Sequence, residues 1–255
     1  MTRPAAAADD WDRHWRDFHE AARLNPAQDM RRRLLLRELR RLAPARLLDL
    51  GSGSGEFARA AASALPGAHF LGLEASAAGV ALAREKAPGA TFLQRDLRGA
   101  HMPEEPYRQW ASAAVCSEVL EHVDDPRALL ANAKPYLAPG AHLLVTVPGG
   151  PMSAYDRHLG HRRHFTRSSL RELIAGAGYG VEAVRGVGFP FFNLYRLVVI
   201  ARGRRLIADA DQSGATMPWT GRSAMRVFDL LFRLNLDRTG LGWQLVARAR
   251  HAVGS

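Results

Sequence analysis

The stretch YDRHLGHRRHFT holds three histidines at a spacing of three residues: His158, His161 and His164. Histidine is the side chain most able to take up a proton near neutral pH. Transfer of a group to a hydroxyl oxygen needs such a proton acceptor, so we predict that one of the three acts as a catalytic base. The alternative is that they brace their loop through hydrogen bonds to the backbone. The spacing also suggests metal binding, but we find no carboxylate spaced with the histidines, so we predict no metal there.

The same stretch contains Tyr155, Arg162 and Arg163. A guanidinium group can bind an anionic group through two parallel hydrogen bonds. We therefore predict that Tyr155 and the two arginines contact the substrate.

A second chemical pattern is the loop in RLLDLGSGSGEF, which has glycine at every second position: Gly51, Gly53 and Gly55. A dinucleotide fingerprint would have its last glycine where this chain has Glu56. An anionic side chain there would repel a phosphate at the helix N-terminus, and no Gly-Lys-Ser/Thr follows. The loop suits a closely approaching nucleoside without phosphate, with Asp49 placed for a cationic amino group.

Two further acidic residues end the next predicted strands. Glu74 follows FLGL and could accept hydrogen bonds from both hydroxyls of a ribose. It would also repel a 2′-phosphate. Asp96 ends LQRD and could accept from an adenine amino group, with the backbone N–H of Leu97 facing the ring.

The order and spacing of these residues resemble those of the class I S-adenosylmethionine-dependent methyltransferases, over about residues 25–250. The resemblance implies that S-adenosylmethionine is the cofactor, with Asp49 and the glycine loop at its methionine end. It implies that Glu74 binds the ribose and Asp96 the adenine. The other cofactor-binding residues that it implies are Ser52, Ala75, Leu97 and Ser117.

The stretch SEVLEHVDDP resembles the small-molecule branch that includes the ubiquinone-biosynthesis O-methyltransferases. The resemblance implies that Glu118 lies at the substrate. Some enzymes of that branch are thought to hold a divalent ion through residues matching Glu118, Glu121 and His122. The simpler interpretation is that Glu121 and His122 brace the following helix, so we predict no metal.

The stretch LNPAQDMRRR resembles the N-terminal segment of the same branch, where an arginine binds the cofactor carboxylate. This chain has Gln28 at that position. We assign Gln28 and Arg32 to the cofactor carboxylate, and Arg31 is an alternative to Arg32.

Elements that alternate between strand and helix must position these residues. The pattern predicts an α/β fold: a Rossmann-like, seven-stranded, mostly parallel sheet with helices on both faces. An N-terminal helical cap and a helical insertion before the last strand complete it. We predict strands near 45–50, 69–75, 91–97, 110–119, 141–148, 180–188 and 241–250, with a turn at Pro139-Gly140.

The predicted parts are a cap over 1–43, an S-adenosylmethionine-binding core over 44–188, an insertion over 189–240, and a final strand and tail over 241–255. Aromatic residues and arginines alternate in the insertion. It could form a lid or substrate wall, or it could rest on an anionic membrane surface as a basic amphipathic helix does.

Composition gives weaker bounds. The chain has 255 residues, a net charge of +10 and a single cysteine, Cys116, which excludes a disulfide framework and a cysteine zinc site. Its only lysines are Lys86 and Lys134, and the arginines are scattered, so we attribute most of the charge to codon usage. The N-terminus has no apolar run typical of a signal peptide, so we expect a cytoplasmic protein, with peripheral membrane contact as the alternative.

We therefore predict an S-adenosylmethionine-dependent methyltransferase that methylates an oxygen of a small molecule with a histidine base. Alternatives are N-methylation, or a membrane-associated lipid or glycan acceptor. A nucleic-acid methyltransferase is not expected, because no Asn/Asp-Pro-Pro-Tyr/Phe motif follows the fourth strand. A cofactor-bound protein without methyltransferase activity, such as a cyclase, stays open because fold does not fix function. The oligomeric state is not predicted.

Overall fold

The structure is a computed structural model that describes Trp11, Asp12, Trp15 and residues 25–211, 219–237 and 239–252. Much of the predicted N-terminal cap, eight residues of the predicted insertion and the end of the tail lie outside the described residues. None of the described helices has the length and apolar character needed to cross a bilayer.

One sheet of seven strands organises the chain. Its strands are β1 Arg46–Leu50, β2 His69–Glu74, β3 Thr91–Gln94, β4 Ala111–Ser117, β5 Leu137–Pro148, β6 Tyr179–Val187 and β7 Gln244–His251. They lie in the order β3-β2-β1-β4-β5-β7-β6. The first five pair in parallel, and β7 runs antiparallel to both β5 and β6. This confirms the predicted fold class.

Helices connect these strands. They are α1 Pro26–Leu42, α2 Glu56–Ala64, α3 Ala77–Lys86, α4 Pro126–Ala133, α5 Ala154–His158, α6 Arg167–Gly176, α7 Phe191–Asp211 and α8 Trp219–Phe232. Asn25 caps α1 by accepting a hydrogen bond from the N–H of Ala27, and Pro26 takes the first helical position. Both α7 and α8 fall between β6 and β7, where the sequence predicts a helical insertion.

The two faces of the sheet carry separate apolar clusters. Leu48 and Leu50 of β1 pack on one face, in the cluster that includes Leu130 and Ile174. Leu47 points to the other face and packs with Leu39 of α1. Successive side chains of a strand point to opposite faces of the sheet. The leucines of β1 are therefore buried by helices on both faces.

Three sequence predictions differ from the structure in detail. β5 begins at Leu137, so the predicted turn at Pro139-Gly140 is wrong. The chain instead forms an irregularity within the strand, where Gly140 has a φ of 77°. β7 begins at Gln244, three residues later than predicted. The histidine stretch, predicted as a loop, begins as the short helix α5 with a capping box between Ser153 and Asp156.

The sheet order changes direction between β1 and β4. In open parallel sheets, ligands bind beyond the carboxyl ends of the strands at such a point. The loops that follow β1, β2, β3 and β4 carry most of the predicted site residues.

Candidate active site

The glycine loop follows β1 and turns at three left-handed positions. Gly51, Gly53 and Gly55 have φ values of 73°, 53° and 79°. Gly55 also begins α2, and a Cβ atom there would lie 2.7 Å from the Cα atom of Ala83 on α3. Glycine at this position therefore allows both the turn and the close packing of α2 on α3. Glu56 follows it.

Glu56 is held by cations. Its carboxylate lies 3.0 Å from Nζ of Lys86 and 2.9 Å from Arg59. The first turn of α2 thus carries a fixed carboxylate, which agrees with a ligand that places no phosphate there.

A pocket of about 710 Å³, including its open mouth, lies beside the glycine loop. The predicted cofactor residues that line it are Gly51, Glu74, Ala75, Asp96 and Leu97. The pocket is also lined by Trp11, Trp15, Glu118, Val119 and His122.

Glu74 joins the pocket wall to the glycine loop. One carboxylate oxygen accepts the backbone N–H of Gly53 at 2.8 Å, and the other accepts that of Ser76 at 2.9 Å. Burial raises the pKa of Glu74, and these two N–H donors oppose the rise without cancelling it. The side chain is 6% exposed, so it fixes the loop while one edge faces the pocket.

Asp49 lies deeper than the sequence suggests. The side chain is 3% exposed on β1 rather than at the open mouth of the loop. Burial, and then the charge of Glu74, raises the pKa of Asp49 to about 8. Ser52 beside it is also buried, and its hydroxyl has no hydrogen-bond partner among the described residues.

Asp96 is paired with a neighbouring arginine. Arg98 donates to both oxygens, with Nη2 at 2.7 Å from Oδ2 and Nε at 3.0 Å from Oδ1. Arg98 lowers the pKa of Asp96 despite its partial burial. Asp96 is therefore a carboxylate at the pocket, and Leu97 next to it is 5% exposed.

A polar network meets the pocket at Glu118, which follows β4 at a φ of 58°. Glu118 accepts from Nε2 of Gln244 at 2.9 Å and from the hydroxyl of Thr146 at 3.2 Å. Arg31 donates to Gln244 at 3.1 Å and lies 3.5 Å from Glu118. Ser117 turns away from the pocket lining and shares a 2.8 Å hydrogen bond with Thr146.

Sequence reasoning missed Gln244 and Thr146. They come from β7 and β5, whose antiparallel pairing places Gln244 opposite Pro148. Gln244 could have been recognised in the sequence as a polar residue directly before the apolar residues that begin β7. It is completely buried, and buried amides must be hydrogen-bonded.

On α1 the structure favours Arg31 over the predicted Arg32. Arg32 is paired with Asp29 one turn earlier, and Gln28 is half-buried and does not appear among the pocket-lining residues described. Arg31 is 8% exposed and reaches Glu118 through the network. The assignment of Gln28 and Arg32 to the cofactor stays a prediction, as does the alternative Arg31.

His161 and His164 form a hydrogen-bonded pair. Nδ1 of His164 lies 3.1 Å from the carbonyl oxygen of Gly150, and Nδ1 of His161 lies 3.2 Å from Nε2 of His164. A carbonyl only accepts, so His164 carries its hydrogen on Nδ1 and accepts from His161. In the neutral pair, Nε2 of His161 keeps a free lone pair. Burial and the neighbouring His122 lower the pKa of His161 to about 3, so the ring is neutral at ordinary pH.

His122 connects this pair to the pocket. Its ring lies 4.7 Å from that of His161, edge to face, and it also lines the pocket. Glu121 beside it is completely buried, and neither carboxyl oxygen has a hydrogen-bond partner among the described residues. Burial, and then the charge of Glu118, raises the pKa of Glu121 well above its ordinary value. Burial therefore favours the protonated form of the Glu121 carboxyl group.

The sequence prediction that no carboxylate lies near the histidines is wrong. Asp156 lies 3.8 Å from Nε2 of His164 and is 2% exposed. Arg196 of α7 binds both of its oxygens, at 2.9 Å and 2.6 Å. Asp156 thus anchors the histidine pair to the insertion.

Among the residues that the structure describes, two sets of ligand atoms lie close enough for a metal ion: Glu121 with His122 and His161, and Asp156 with His161 and His164. In the second set Arg196 already neutralises the carboxylate. The first set contains His161, whereas the resemblance implies Glu118 as the third ligand beside Glu121 and His122. The prediction of no metal stays a prediction.

The predicted base His158 and the predicted substrate residues Tyr155, Arg162 and Arg163 make contacts of their own. His158 is exposed at the end of α5, and its ring stacks on Tyr155 at 6.4 Å. Arg162 pairs with the carboxylate of Asp124, and Arg163 donates to the backbone oxygen of Asp124 at 2.9 Å. Both arginines thus contact Asp124, and their contact with the substrate stays a prediction.

Together, the glycine loop, the acidic residues at the ends of β2 and β3, and an antiparallel last strand define a class I S-adenosylmethionine-dependent methyltransferase. Residues 18–184 match the family model described as a methyltransferase domain, and the chain belongs to this family. The predicted resemblance to small-molecule methyltransferases is thereby confirmed, as is the predicted cofactor class.

Relatives of this chain include methyltransferases of two kinds. Trans-aconitate 2-methyltransferase of Methylobacterium nodulans is 33% identical over 139 residues, which are 54% of this chain and 50% of that protein. Ubiquinone biosynthesis O-methyltransferase of Vibrio cholerae is 23% identical over 201 residues, 71% of this chain and 79% of that protein. The chain thus spans only half the length of the first relative.

Among solved structures, the N-methyltransferase NodS of Bradyrhizobium japonicum, in complex with S-adenosylhomocysteine, superimposes with a TM-score of 0.56. The match covers 95% of this chain and 99% of NodS at 16% identity. This likeness shows the fold.

Proposed function

We propose that this chain transfers the methyl group of S-adenosylmethionine to an oxygen atom of a small molecule, and that His161 takes the acceptor's proton. The observation that carries this proposal is the 3.2 Å hydrogen bond from His161 to His164, which leaves Nε2 of His161 with its lone pair. His158 is exposed and remote, and His164 already accepts from His161. His161 is thus the candidate among the three predicted bases.

The pocket suits this cofactor. When bound, S-adenosylmethionine supplies a methyl group made electrophilic by its sulfonium. Gly51, Glu74 and Asp96 line the pocket, and we assign Glu74 to the ribose and Asp96 to the adenine. These residue roles rest on the match between the pocket lining and the predicted positions.

The remaining residues position the reacting groups. Methyl transfer is a direct displacement, so acceptor oxygen, methyl carbon and sulfur must be aligned. His161 would accept the proton at Nε2 and become a cation that donates to His164. Asp156 lies 3.8 Å from His164 and favours that cation. Arg196 holds Asp156 in place.

A second candidate is methylation of a carboxylate, which needs no base. Arg31 favours it, because Nε of this buried guanidinium has no hydrogen-bond partner among the described residues. The spare donor could hold an anionic acceptor beside Glu118. Relatives named trans-aconitate 2-methyltransferase agree with an acidic acceptor.

Cofactor binding is tested first, by calorimetric titration with S-adenosylhomocysteine and with NADH as control. We expect micromolar binding that Glu74→Ala abolishes and no binding of NADH. Binding of neither ligand would overturn the cofactor assignment.

Transfer is then measured with labelled S-adenosylmethionine and panels of phenols, catechols and carboxylic acids. For a hydroxyl acceptor, His161→Gln should lower kcat about 100-fold or more, with unchanged affinity for S-adenosylhomocysteine. His158→Gln is the matched control and should retain turnover. Normal turnover of His161→Gln from about pH 6 to pH 9 would refute the base. Loss in Arg31→Gln but not in His161→Gln would support the carboxylate acceptor.

A further inference from the structure

The two helices of the insertion carry exposed aliphatic side chains in addition to the aromatic side chains that they bury. These aliphatic side chains are 40% to 64% exposed. They are Leu194, Leu197 and Val198 of α7, Val227 and Leu230 of α8, and Leu234 just after α8. We call this set the apolar helix face.

The inner faces of the same helices are already filled. Phe192 and Phe232 are buried with their rings 5.8 Å apart, and Tyr195 meets Phe228 at 5.3 Å. The exposed aliphatic residues are therefore not needed to pack the insertion on the sheet. Exposed apolar patches on a protein surface mark interaction sites.

Cations accompany the apolar helix face. Arg205 of α7 and Arg226 of α8 are exposed, and Arg226 directly precedes Val227. Asp229 on α8 is paired with Arg33 of α1 at 2.9 Å, so its charge is compensated. The charges beside the exposed leucines are thus mainly positive, in a chain whose net charge is +10.

We propose that the apolar helix face docks this protein on an anionic lipid bilayer, with its leucines among the acyl chains and its arginines at the headgroups. Aliphatic residues flanked by arginines suit such a surface. A second copy of the chain would bring like charges together, which disfavours association. A nucleic acid would use aromatic rings for stacking, but Phe192 and Phe232 face inward. The proposal does not depend on the proposed reaction.

Co-sedimentation of the full chain with vesicles tests it, comparing phosphatidylcholine vesicles with vesicles that also contain phosphatidylglycerol. We expect binding to the anionic vesicles only, weakened by salt. Leu194→Ser/Leu230→Ser should weaken it about 100-fold or more, because two leucine side chains are no longer buried among the acyl chains. Arg205→Gln/Arg226→Gln should weaken it about 30-fold, which corresponds to about 1 kcal/mol for each charge.

Matched controls lie elsewhere on the surface. Met102 is 63% exposed, as Leu230 is, and Arg171 is exposed on α6. Met102→Ser and Arg171→Gln should bind vesicles as the parent does. The substituted side chains are exposed, and equal melting curves would confirm that the variants fold.

Three results would overturn the proposal. One is no sedimentation with anionic vesicles. Another is equal loss in the controls. The third is a concentration-dependent dimer, or an RNA complex, that the leucine substitutions abolish while the parent fails to bind vesicles.

Discussion

Asp49→Asn should make the protein more stable at alkaline pH. Asp49 is 3% exposed, and burial, with the charge of Glu74, raises its pKa from 3.8 to about 8. Asparagine has nearly the same shape but cannot ionise. In the parent the folded state must therefore either keep the proton or bury a charge, and the variant does neither.

The sign follows from proton linkage. The unfolded chain releases the Asp49 proton near pH 3.8, whereas the folded chain keeps it to about pH 8. The stability that this proton contributes is complete below about pH 4, falls as pH rises, and is lost above about pH 8. A rise of about four units corresponds to about 6 kcal/mol, at about 1.4 kcal/mol per unit. Because water entry reduces such penalties, we expect Asp49→Asn to gain about 2–5 kcal/mol at pH 9 relative to pH 4.

Guanidinium unfolding of the cofactor-free protein at several pH values from about 4 to 9 measures the difference. Glu85 is exposed on α3, so Glu85→Gln is a matched control that should show no such trend. A difference between Asp49→Asn and parent that does not grow with pH would refute the reasoning, and so would a parent that is the more stable protein at pH 9.

Two further substitutions test the packing around the site. Gly55→Ala places a Cβ atom 2.7 Å from Ala83 at a φ of 79°, and should lower the free energy of unfolding by about 2 kcal/mol or more in denaturant titrations. Gly67→Ala, at a φ of 89° with nothing within 4 Å, should cost less. Asp156→Asn leaves Arg196 without its buried partner and should cost about 3 kcal/mol at pH 7. Burial opposes the ionisation of Asp156, but Arg196 outweighs it and lowers the pKa to about 2. The advantage of the parent should therefore shrink below about pH 4, and an advantage that persists at pH 2 would contradict this.

The glycine loop and the ends of β2 and β3 could be predicted because their constraints are local. A left-handed turn at Gly53 and a carboxylate directly after an apolar strand are visible in a few consecutive residues. The parallel sheet then brings Glu74 and Asp96 to one edge without further information.

The histidine cluster could not be predicted in this way. The three histidines are evenly spaced in sequence, but their surroundings differ. His158 is exposed at the end of α5, whereas His161 is turned inward. The choice between Arg31 and Arg32 depends on Gln244, which is 213 residues away from Arg31 along the chain. Such contacts depend on the register of β7 against β5, and no local pattern encodes it.

The position of α7 connects the two proposals. Arg196 faces inward and binds Asp156, and its neighbour Leu197 is 51% exposed on the apolar helix face. One rigid helix therefore carries both the anchor of the histidine pair and part of the surface proposed to meet lipid. Because α7 holds Asp156 through two hydrogen bonds at 2.9 Å and 2.6 Å, docking on a bilayer would require no movement of the histidines. The apolar helix face would then hold the protein at the bilayer, and Arg196 would hold Asp156 beside the histidine pair.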